Sequence, residues 1–546
     1  DATSGIAHTR WATHGEPSEV NAHPHIDTSG QLHLVHNGII ENYREIKDEL
    51  IGQGYTFYSA TDTEVLAKLI GSLYAGNLEQ AVTKALARVR GAYGLVVTHE
   101  AEPGVIIVAR LGSPIVIGVA ADGHYVASDA VALLPYTNRL VYLDDGEVAI
   151  LTPSTYQVKS ESGTERQVVP ETAAADIEVI KKDGYRHYME KEINEAAEVI
   201  RSTVRGRVLT GEGRVKLGGL ESVLPELRDI HRLTIVGCGS ASFAGRVGQW
   251  MLETYAGLPT EVEIGSEYRY RAMLGGPGTA VLAVTQSGET ADTLASIKRA
   301  KAEGLLTLGI VNVVGSSIAR ETASGVYNHA GPEVAVASTK AFLSQLTVFA
   351  LLTVLLGRER GIMTEAAAGE ILIALEALPA LLDEVLSRQA GIEVIASRYK
   401  DATSMMYIGR GSHAPLAYEG ALKMKEVTYI HAEGYPAGEL KHGSIALLDP
   451  QVPVVALLPS QDGYEKMVSN IEEVKARKAP MIIIAEDGDK HASTLADDVI
   501  FVPKTHPLLQ PIISTIPLQL LSYYVGIEKG LDVDKPRNLA KSVTVE

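Results

Sequence analysis

A short pattern that occurs twice constrains this chain more than any other feature. Thr234-Ile-Val-Gly-Cys-Gly-Ser240 is an apolar run ending in G-x-G-S, and Met405-Met-Tyr-Ile-Gly-Arg-Gly-Ser412 repeats the design 172 positions later. Second apolar runs correspond as well, Val281 to Ser287 and Val454 to Ser460, and third ones follow at Leu306 to Val311 and Met481 to Ala485. Strand, glycine turn and helix in repeated order predict parallel sheets covered on both faces, with ligands at the carboxyl ends of the strands. The two α/β domains are expected at 221–365 and 395–530. A helical connector, 366–394, lies within the helical stretch from Thr364 to Arg398 that joins them.

Inside the first repeat, Val281-Leu-Ala-Val-Thr-Gln-Ser-Gly-Glu-Thr-Ala-Asp-Thr293 predicts a buried strand, a turn around Gly288 and a helix with Ala291, Leu294 and Ile297 on its apolar side. Free backbone N–H groups at the helix start, together with the hydroxyls of Thr285, Ser287 and Thr290, suit a phosphate. Taken alone, the same residues also describe an ordinary capped turn. A dinucleotide site fits less well. Gly237-x-Gly239-x-x-Ser242 lacks the third Gly or Ala, and no convincing acidic partner for a ribose stands at the end of a second strand.

The 546 residues suffice for three or four domains. Lys and Arg number 49 against 67 Asp and Glu, a net charge of −18, which argues against nucleic acid as a partner. Cys238 is the single cysteine, so internal disulfides and cysteine-based zinc clusters are excluded and a reducing cytoplasm fits. The longest apolar run, Leu346 to Leu356, is too short to cross about 30 Å of hydrocarbon and predicts a buried core helix; no membrane partner is expected. The chain opens Asp-Ala-Thr-Ser with neither methionine nor signal peptide, as a clipped or processed front would.

Residues 1–175 predict a mixed α+β domain. Strand-like runs fall at Leu32 to His36, Tyr55 to Tyr58, Gly94 to Thr98 and Val105 to Ala109. One helix carries Ile40, Tyr43, Ile46 and Leu50 on a face, and a second follows the N-cap signal Thr61-Asp-Thr-Glu64. Residues 176–220 are expected as linker and lead-in helix: Ser160 to Asp183 is polar and aperiodic, and a charged helical stretch runs from Tyr185 to Val204. His14, His23, His25, His33 and His36 match no standard zinc spacing, so no metal is expected. By themselves, Asn37 and Gly38 suggest a type I′ turn.

With these motifs in hand, the chain resembles the glucosamine-6-phosphate synthases, the glutamine–fructose-6-phosphate amidotransferases. The resemblance runs nearly end to end. It rests on His8-Thr-Arg-Trp-Ala-Thr-His-Gly15, His36-Asn-Gly38, Thr61-Asp-Thr-Glu64, Gln286-Ser-Gly-Glu-Thr290, Val336-Ala-Ser-Thr-Lys340, Glu439-Leu-Lys-His-Gly443 and the ending Asp534-Lys-Pro-Arg-Asn-Leu-Ala-Lys-Ser-Val-Thr-Val-Glu546. It implies an α+β N-terminal-nucleophile glutaminase domain, truncated here, followed by two α/β parallel-sheet sugar isomerase domains and an active-site tail at 531–546. It implies that fructose 6-phosphate and L-glutamine give glucosamine 6-phosphate in a homodimer, with no cofactor. Two rivals remain at this point: a phosphosugar isomerase or deglycase on the same double domain, and a non-catalytic sensor of sugar phosphate.

The resemblance assigns Arg10 to the α-carboxylate of glutamine and Asp62 to its α-ammonium, chemistry that both side chains suit. It makes Asn37 and the Gly38 N–H the oxyanion hole, and puts Trp11 and His23 in the loop over the substrate. The family's nucleophile, a cysteine at the mature N-terminus, has no counterpart in this sequence. The chain as given is therefore expected to keep only sugar chemistry, with glutamine hydrolysis supplied by a front segment of the parent protein. On the sugar side, Thr285, Gln286, Ser287 and Thr290 take the phosphate, and Ser240, Val336 and Ser338 line the sugar. Two positions depart from the pattern: Thr285 stands where serine is usual, and Ala241 where serine is common. His442, from the neighbouring subunit, opens the ring; Glu426 moves the proton between the first and second carbons; Lys423 neutralises developing charge. Without that context, Lys423 and Glu426 describe a surface ion pair. Lys541, in an aperiodic tail, is the amine that forms the Schiff base, with Lys535 and Arg537 as the cations expected to lower its pKa.

Overall fold

The computed structural model describes residues 3–10, 14–160, 162–172, 182–273, 275–460 and 463–544. The chain divides into two compact units, Asp1–Val179 with Glu289–Ala291 and Ser542–Glu546, and Ile180–Gly288 with Asp292–Lys541.

In the first unit, seven antiparallel strands form one sheet in the order His25–Ile26, Leu32–Ile40, Gly91–His99, Ile106–Leu111, Val148–Leu151, Tyr156–Lys159 and Glu165–Arg166. A second antiparallel sheet holds Glu171–Thr172, Arg139–Tyr142, Val116–Val119 and His124–Ala127. The strands alternate inward and outward residues. Leu32, Leu34, Leu95 and Val97 therefore meet Leu66, Leu69 and Ile70 of helix Asp62–Leu73, while Val108, Ala149 and Val158 meet Ile117 and Val141 of the second sheet.

Several expectations for this region need correction. Tyr55 to Tyr58 is irregular, because the rings of Tyr55 and Phe57, not a ladder, hold it to the core. Ile40 ends a strand, and the helix begins at Tyr43. A third helix, Leu78–Leu86, escapes notice in the sequence although the Asn77 side chain caps it, accepting from the Gln80 N–H at 2.8 Å. The stretch from Ser160 is not all linker, since Glu165–Arg166 and Glu171–Thr172 add edge strands to the two sheets; residues 173–181 of that stretch lie outside the described residues.

The second unit holds the internal repeat. Its first sheet runs Thr260–Ile264, Arg232–Gly237, Thr279–Thr285, Leu306–Val311, Ser324–Tyr327, all parallel. The other runs His431–Pro436, Ser404–Gly409, Val454–Leu458, Met481–Glu486, Asp498–Val502, also all parallel and in the same chain order. Each sheet has the order 2-1-3-4-5, so its switch point lies between the first and third strands, where G-x-G-S and the hydroxyl turn end. The expected connector is two helices, Glu365–Ser387 and Gln389–Tyr399, and the charged lead-in is also two, Tyr188–Asn194 and Ala196–Val204.

One large core serves both sheets. Helices Lys340–Glu359 and Gln510–Glu528 run through it, apolar on every side and buried. Lys340–Glu359 contains the run expected as a core helix. It is long and apolar enough to span a membrane, yet residues Lys340 to Gly357 are all buried in protein. Helix Ser240–Ala256 approaches it closely because Gly248 has no side chain: a Cβ there would lie 2.4 Å from the Phe349 ring.

Candidate active site

In the first unit, His8, Arg10, His14, His23, His36, Asn37, Gly38, Thr61, Asp62 and Thr63 surround one pocket. Asn37 and Gly38 are not a turn. They sit in the middle of strand Leu32–Ile40, and Gly38, at φ +149, pairs so tightly with the neighbouring strand that a Cβ would stand 2.1 Å from the Ala92 carbonyl oxygen. The Asn37 amide donates to the Thr544 hydroxyl at 2.9 Å. Asp62, the first residue of its helix, accepts the Ile40 N–H at 2.8 Å. Arg10, at φ +51, donates to the carbonyls of His14 and Gly15 at 2.6 and 2.9 Å. His8 and His23 share a contact of 3.0 Å between their Nδ1 atoms. Burial first, then His8, His25, His36 and Arg10, push the His23 imidazole down to about 2; burial and the same kind of neighbours bring His8 to about 4. Both imidazoles are therefore neutral at physiological pH. Trp11 lies outside the described residues.

In the second unit, the turn after Thr279–Thr285 is clamped. The Thr285 hydroxyl accepts the Gly288 N–H at 3.1 Å, the Gln286 carbonyl accepts Asn312 N–H at 3.3 Å, and the Gly288 carbonyl accepts Ile318 N–H at 3.0 Å. Gly288 has φ +71, and a Cβ on it would be 2.0 Å from Ser316 Oγ. Thr285 and Ser287 are buried. Thr290 belongs to the short stretch grouped with the first unit.

The repeat does not duplicate this turn. After Val454–Leu458, the Ser460 N–H donates to Glu486 at 3.1 Å and its hydroxyl donates to the same carboxylate, so the second copy already holds an anion of its own. Ser412, the counterpart of Ser240, is bonded to His413 at 3.1 Å.

Ser240 opens helix Ser240–Ala256 and donates to Glu419 at 3.0 Å. Glu419, Lys423 and Glu426 lie on one face of helix Ala414–Thr428, where i, i+4 and i+7 coincide. Lys423 Nζ is 2.5 Å from Glu426 and 3.6 Å from Glu419. This is no surface pair: Lys423 is 1% exposed and Glu419 0%. Burial raises the Glu419 carboxyl to about 7, aided by Glu426 and opposed by Lys423. Burial works against the Lys423 charge, but Glu426 and Glu419 outweigh it and raise its pKa. Glu419 went unnoticed in the sequence, although its spacing of four and seven residues from Lys423 and Glu426 was the available signal.

Lys541 is held in an irregular tail by two bonds from its ammonium, one to the Glu333 carboxylate and one of 2.8 Å to the Ala335 carbonyl. The expected helpers are elsewhere. Arg537 lies over the Tyr429 ring at 4.2 Å, and exposed Lys535 donates its N–H to Asp532. The charge beside Lys541 is thus a carboxylate rather than a second cation. The segment that supplies Glu333 also carries Val336, whose N–H bonds the Asp534 carbonyl at 3.0 Å, and half-buried Ser338. His442 stands outside this network, exposed at the end of the short helix Ala437–His442.

Comparison with known proteins gives one consistent result. The glutamine amidotransferase domain matches residues 8–135, and the SIS domain matches twice, at 226–355 and 398–529. The chain is 49% identical to the glutamine–fructose-6-phosphate aminotransferase (isomerizing) of Chlorobaculum tepidum, over 100% of this chain and 89% of that one. It is 48% identical to a protein of the same name from Thermus thermophilus, over 99% and 89%. Among solved structures, the C-terminal domain of glucosamine-fructose-6-phosphate aminotransferase from Francisella tularensis matches 65% of this chain and 100% of its own, at TM-score 0.62 and 38% identity. Tagatose-6-phosphate ketose/aldose isomerase from Escherichia coli, at 17% identity and TM-score 0.53 over 65% and 95%, shares the fold.

Proposed function

Because the chain belongs to the glutamine–fructose-6-phosphate aminotransferases (isomerizing), we propose that it makes D-glucosamine 6-phosphate from D-fructose 6-phosphate and the amide nitrogen of L-glutamine, with the sugar steps carried by Lys541, Glu426, Lys423 and His442. The observation that carries this reading is the placement of Lys541, a lysine in an aperiodic tail whose head is nonetheless fixed by Glu333 and Ala335. A terminus without such a role would be frayed and solvated.

The sugar phosphate binds at Thr285, Gln286, Ser287 and Thr290, with Ser240, Val336 and Ser338 along the sugar. The Lys541 amine attacks the second carbon of the open ketose, and loss of water leaves the Schiff base. Ammonia then replaces the lysine, and Glu426 carries a proton between the second and first carbons to give the aldose. Lys423, paired with Glu426, offsets the charge of the enolamine. In the glutaminase half, Arg10 and Asp62 hold glutamine, Asn37 and the Gly38 N–H receive the oxyanion, and Trp11 and His23 cover the pocket. The domain bounds 1–175, 221–365 and 395–530 belong to this proposal, as does a cytoplasmic location, which the single cysteine fits.

Mass spectrometry of products from fructose 6-phosphate, with ammonium chloride or with glutamine as nitrogen donor, tests the reading. Ammonium needs no glutamine hydrolysis, so that arm reports on the sugar-side residues alone. Glucosamine 6-phosphate from ammonium supports the proposal; glucose 6-phosphate alone indicates an isomerase, and tight binding without turnover a sensor. Gly288→Ala is expected to raise KM for fructose 6-phosphate about tenfold while leaving kcat largely intact, since a Cβ at φ +71 would both strain the turn and strike Ser316.

We also assign the protein as a homodimer in which His442 serves the partner's site; its exposure outside the Lys541 and Lys423 networks is what supports this. Co-expressed Lys541→Ala and His442→Ala chains, each inactive by itself, are then expected to regain about a quarter of the normal number of sites through mixed dimers. No recovery in verified mixed dimers would put His442 in its own chain's site.

A further inference from the structure

Glu333 is 2% exposed, yet it carries a carboxylate with a partner for each oxygen. One oxygen accepts the N–H groups of Thr339, the N-cap of the 20-residue helix Lys340–Glu359, and of Ala341, its second residue, at 2.8 and 2.9 Å. The other accepts from the Lys541 ammonium. From the far side, Glu192 fixes the same segment, accepting Val334 and Ala335 N–H at 2.5 and 3.0 Å and the Thr339 hydroxyl at 3.1 Å. Ala335, so fixed, gives its carbonyl to a second proton of Lys541.

The geometry points to Glu333 as the group that takes a proton from the Lys541 ammonium when this amine attacks the sugar carbonyl, and that returns it to the hydroxyl leaving as water. The inference rests on the assignment of Lys541 as the Schiff-base amine. The ammonium gives one proton to Glu333 and becomes the free amine, and a turn about the Cε–Nζ bond aims its lone pair at the carbonyl carbon while Ala335 retains one N–H. The C–N bond forms as the carbonyl π bond opens, and the second amine proton passes to the new alkoxide. The hydroxyl then departs with the proton held by Glu333. One water leaves, the iminium nitrogen carries the positive charge the ammonium had, and Glu333 is a carboxylate again.

Burial opposes the Glu333 charge, but Lys541 and the two N–H donors prevail and lower its pKa. Moving one proton between the partners annihilates both charges at once, so the desolvation that penalises the buried Glu333 ion favours the transfer. The other charged groups around the pair are Glu192, which burial and then Glu333 raise to about 7, and Lys340 with its partner Glu195 at 2.6 Å; Lys423 also feels the Glu333 charge.

The test follows formation of the borohydride-trapped adduct by intact mass in rapid-quench time courses. The substrate is the 5-deoxy analogue of fructose 6-phosphate, which lacks the hydroxyl that closes the ring, so ring opening does not limit the rate. Glu333→Gln keeps an acceptor for Thr339 and Ala341 and is expected to slow trapping at neutral pH by about 10²–10⁴-fold. Its rate should then climb with pH as solvent base takes over, while binding of glucosamine 6-phosphate changes little. Trapping at the normal rate with the normal pH profile overturns the inference. Should Glu333→Gln not fold, Glu333→Asp decides: at least tenfold slower trapping supports the inference, and a normal rate overturns it. Lys541→Ala is run beside them. If it still gives the adduct, the assignment of Lys541 fails and this inference fails with it; if it gives none while Glu333→Gln is unaffected, only the role of Glu333 is lost.

Discussion

Lys541→Ala is expected to remove the borohydride-trapped sugar adduct entirely and to lower ammonium-dependent formation of glucosamine 6-phosphate by on the order of 10⁴-fold or more. The same change strands Glu333, a carboxylate 2% exposed whose main cation is gone. Breaking a buried pair in this way costs about 3–5 kcal/mol, so loss of activity alone would not separate chemistry from unfolding. Lys541→Arg separates them. A guanidinium keeps the charge beside Glu333 and the bond to Ala335 but does not form a Schiff base at neutral pH, so this variant is expected to unfold near the normal midpoint and to give no adduct. The pH dependence supplies a further check. The folded Glu333 carboxyl is lowered, so its stabilising contribution is present above the unfolded pKa and lost as pH falls through the folded one. Lys541→Ala removes that contribution, and its deficit relative to the parent should shrink in acid. A trapped adduct in either variant would end the assignment of Lys541.

The second large effect is expected at Lys423. It lies between Glu419 and Glu426 on helix Ala414–Thr428 and is 1% exposed. Lys423→Ala leaves two carboxyl groups facing each other without their cation and is expected to destabilise the second unit by about 3–5 kcal/mol. Glu419 sets the sign with pH. Its carboxyl is raised from 4.5 to about 7, so the unfolded chain releases this proton at lower pH than the folded chain does, and stability falls as pH rises between those two values. Without Lys423 the raised value climbs further and the loss extends upward, so the destabilisation should be larger at about pH 8 than at about pH 5.5. Denaturant unfolding at the two pH values measures this. Lys423→Met with Glu419→Gln removes one charge of each sign at nearly constant volume and is expected to restore most of the stability but little of the turnover. Recovery of turnover together with stability would make Lys423 a structural ion and nothing more.

Much of the architecture was legible in the sequence because its signals are local. The paired G-x-G-S turns, the apolar runs before them and the hydroxyls around Gly288 are set by strand and turn chemistry within a dozen residues, and they forecast two parallel sheets with a site at one of them. The motifs carrying the family resemblance lay equally in plain view. Where local signals competed, the reading went astray. Asn37-Gly38 has the composition of a tight turn but is a strand interior, since only glycine tolerates the approach of the Ala92 carbonyl. Tyr55 to Tyr58 has strand composition and no ladder; the rings of Tyr55 and Phe57 pack on the core instead. Leu78–Leu86 was missed although its cap is in the sequence.

The sequence by itself therefore determined the order and type of the main elements, the position of the hydroxyl-rich turn around Gly288 and the family of the chain. Only the tertiary structure decided which charges face one another. Glu333 and Lys541 are 208 residues apart, Ser240 and Glu419 are 179 apart, and Glu192 reaches Thr339 across 147. Nothing in the residues near Lys541 announces a carboxylate partner; its sequence neighbours are the cations Lys535 and Arg537, which the fold sends elsewhere. The physical reason is that a side chain's protonation and reactivity depend on burial and on the nearest charges in space. Those are set when distant segments pack, after local propensity has done its part.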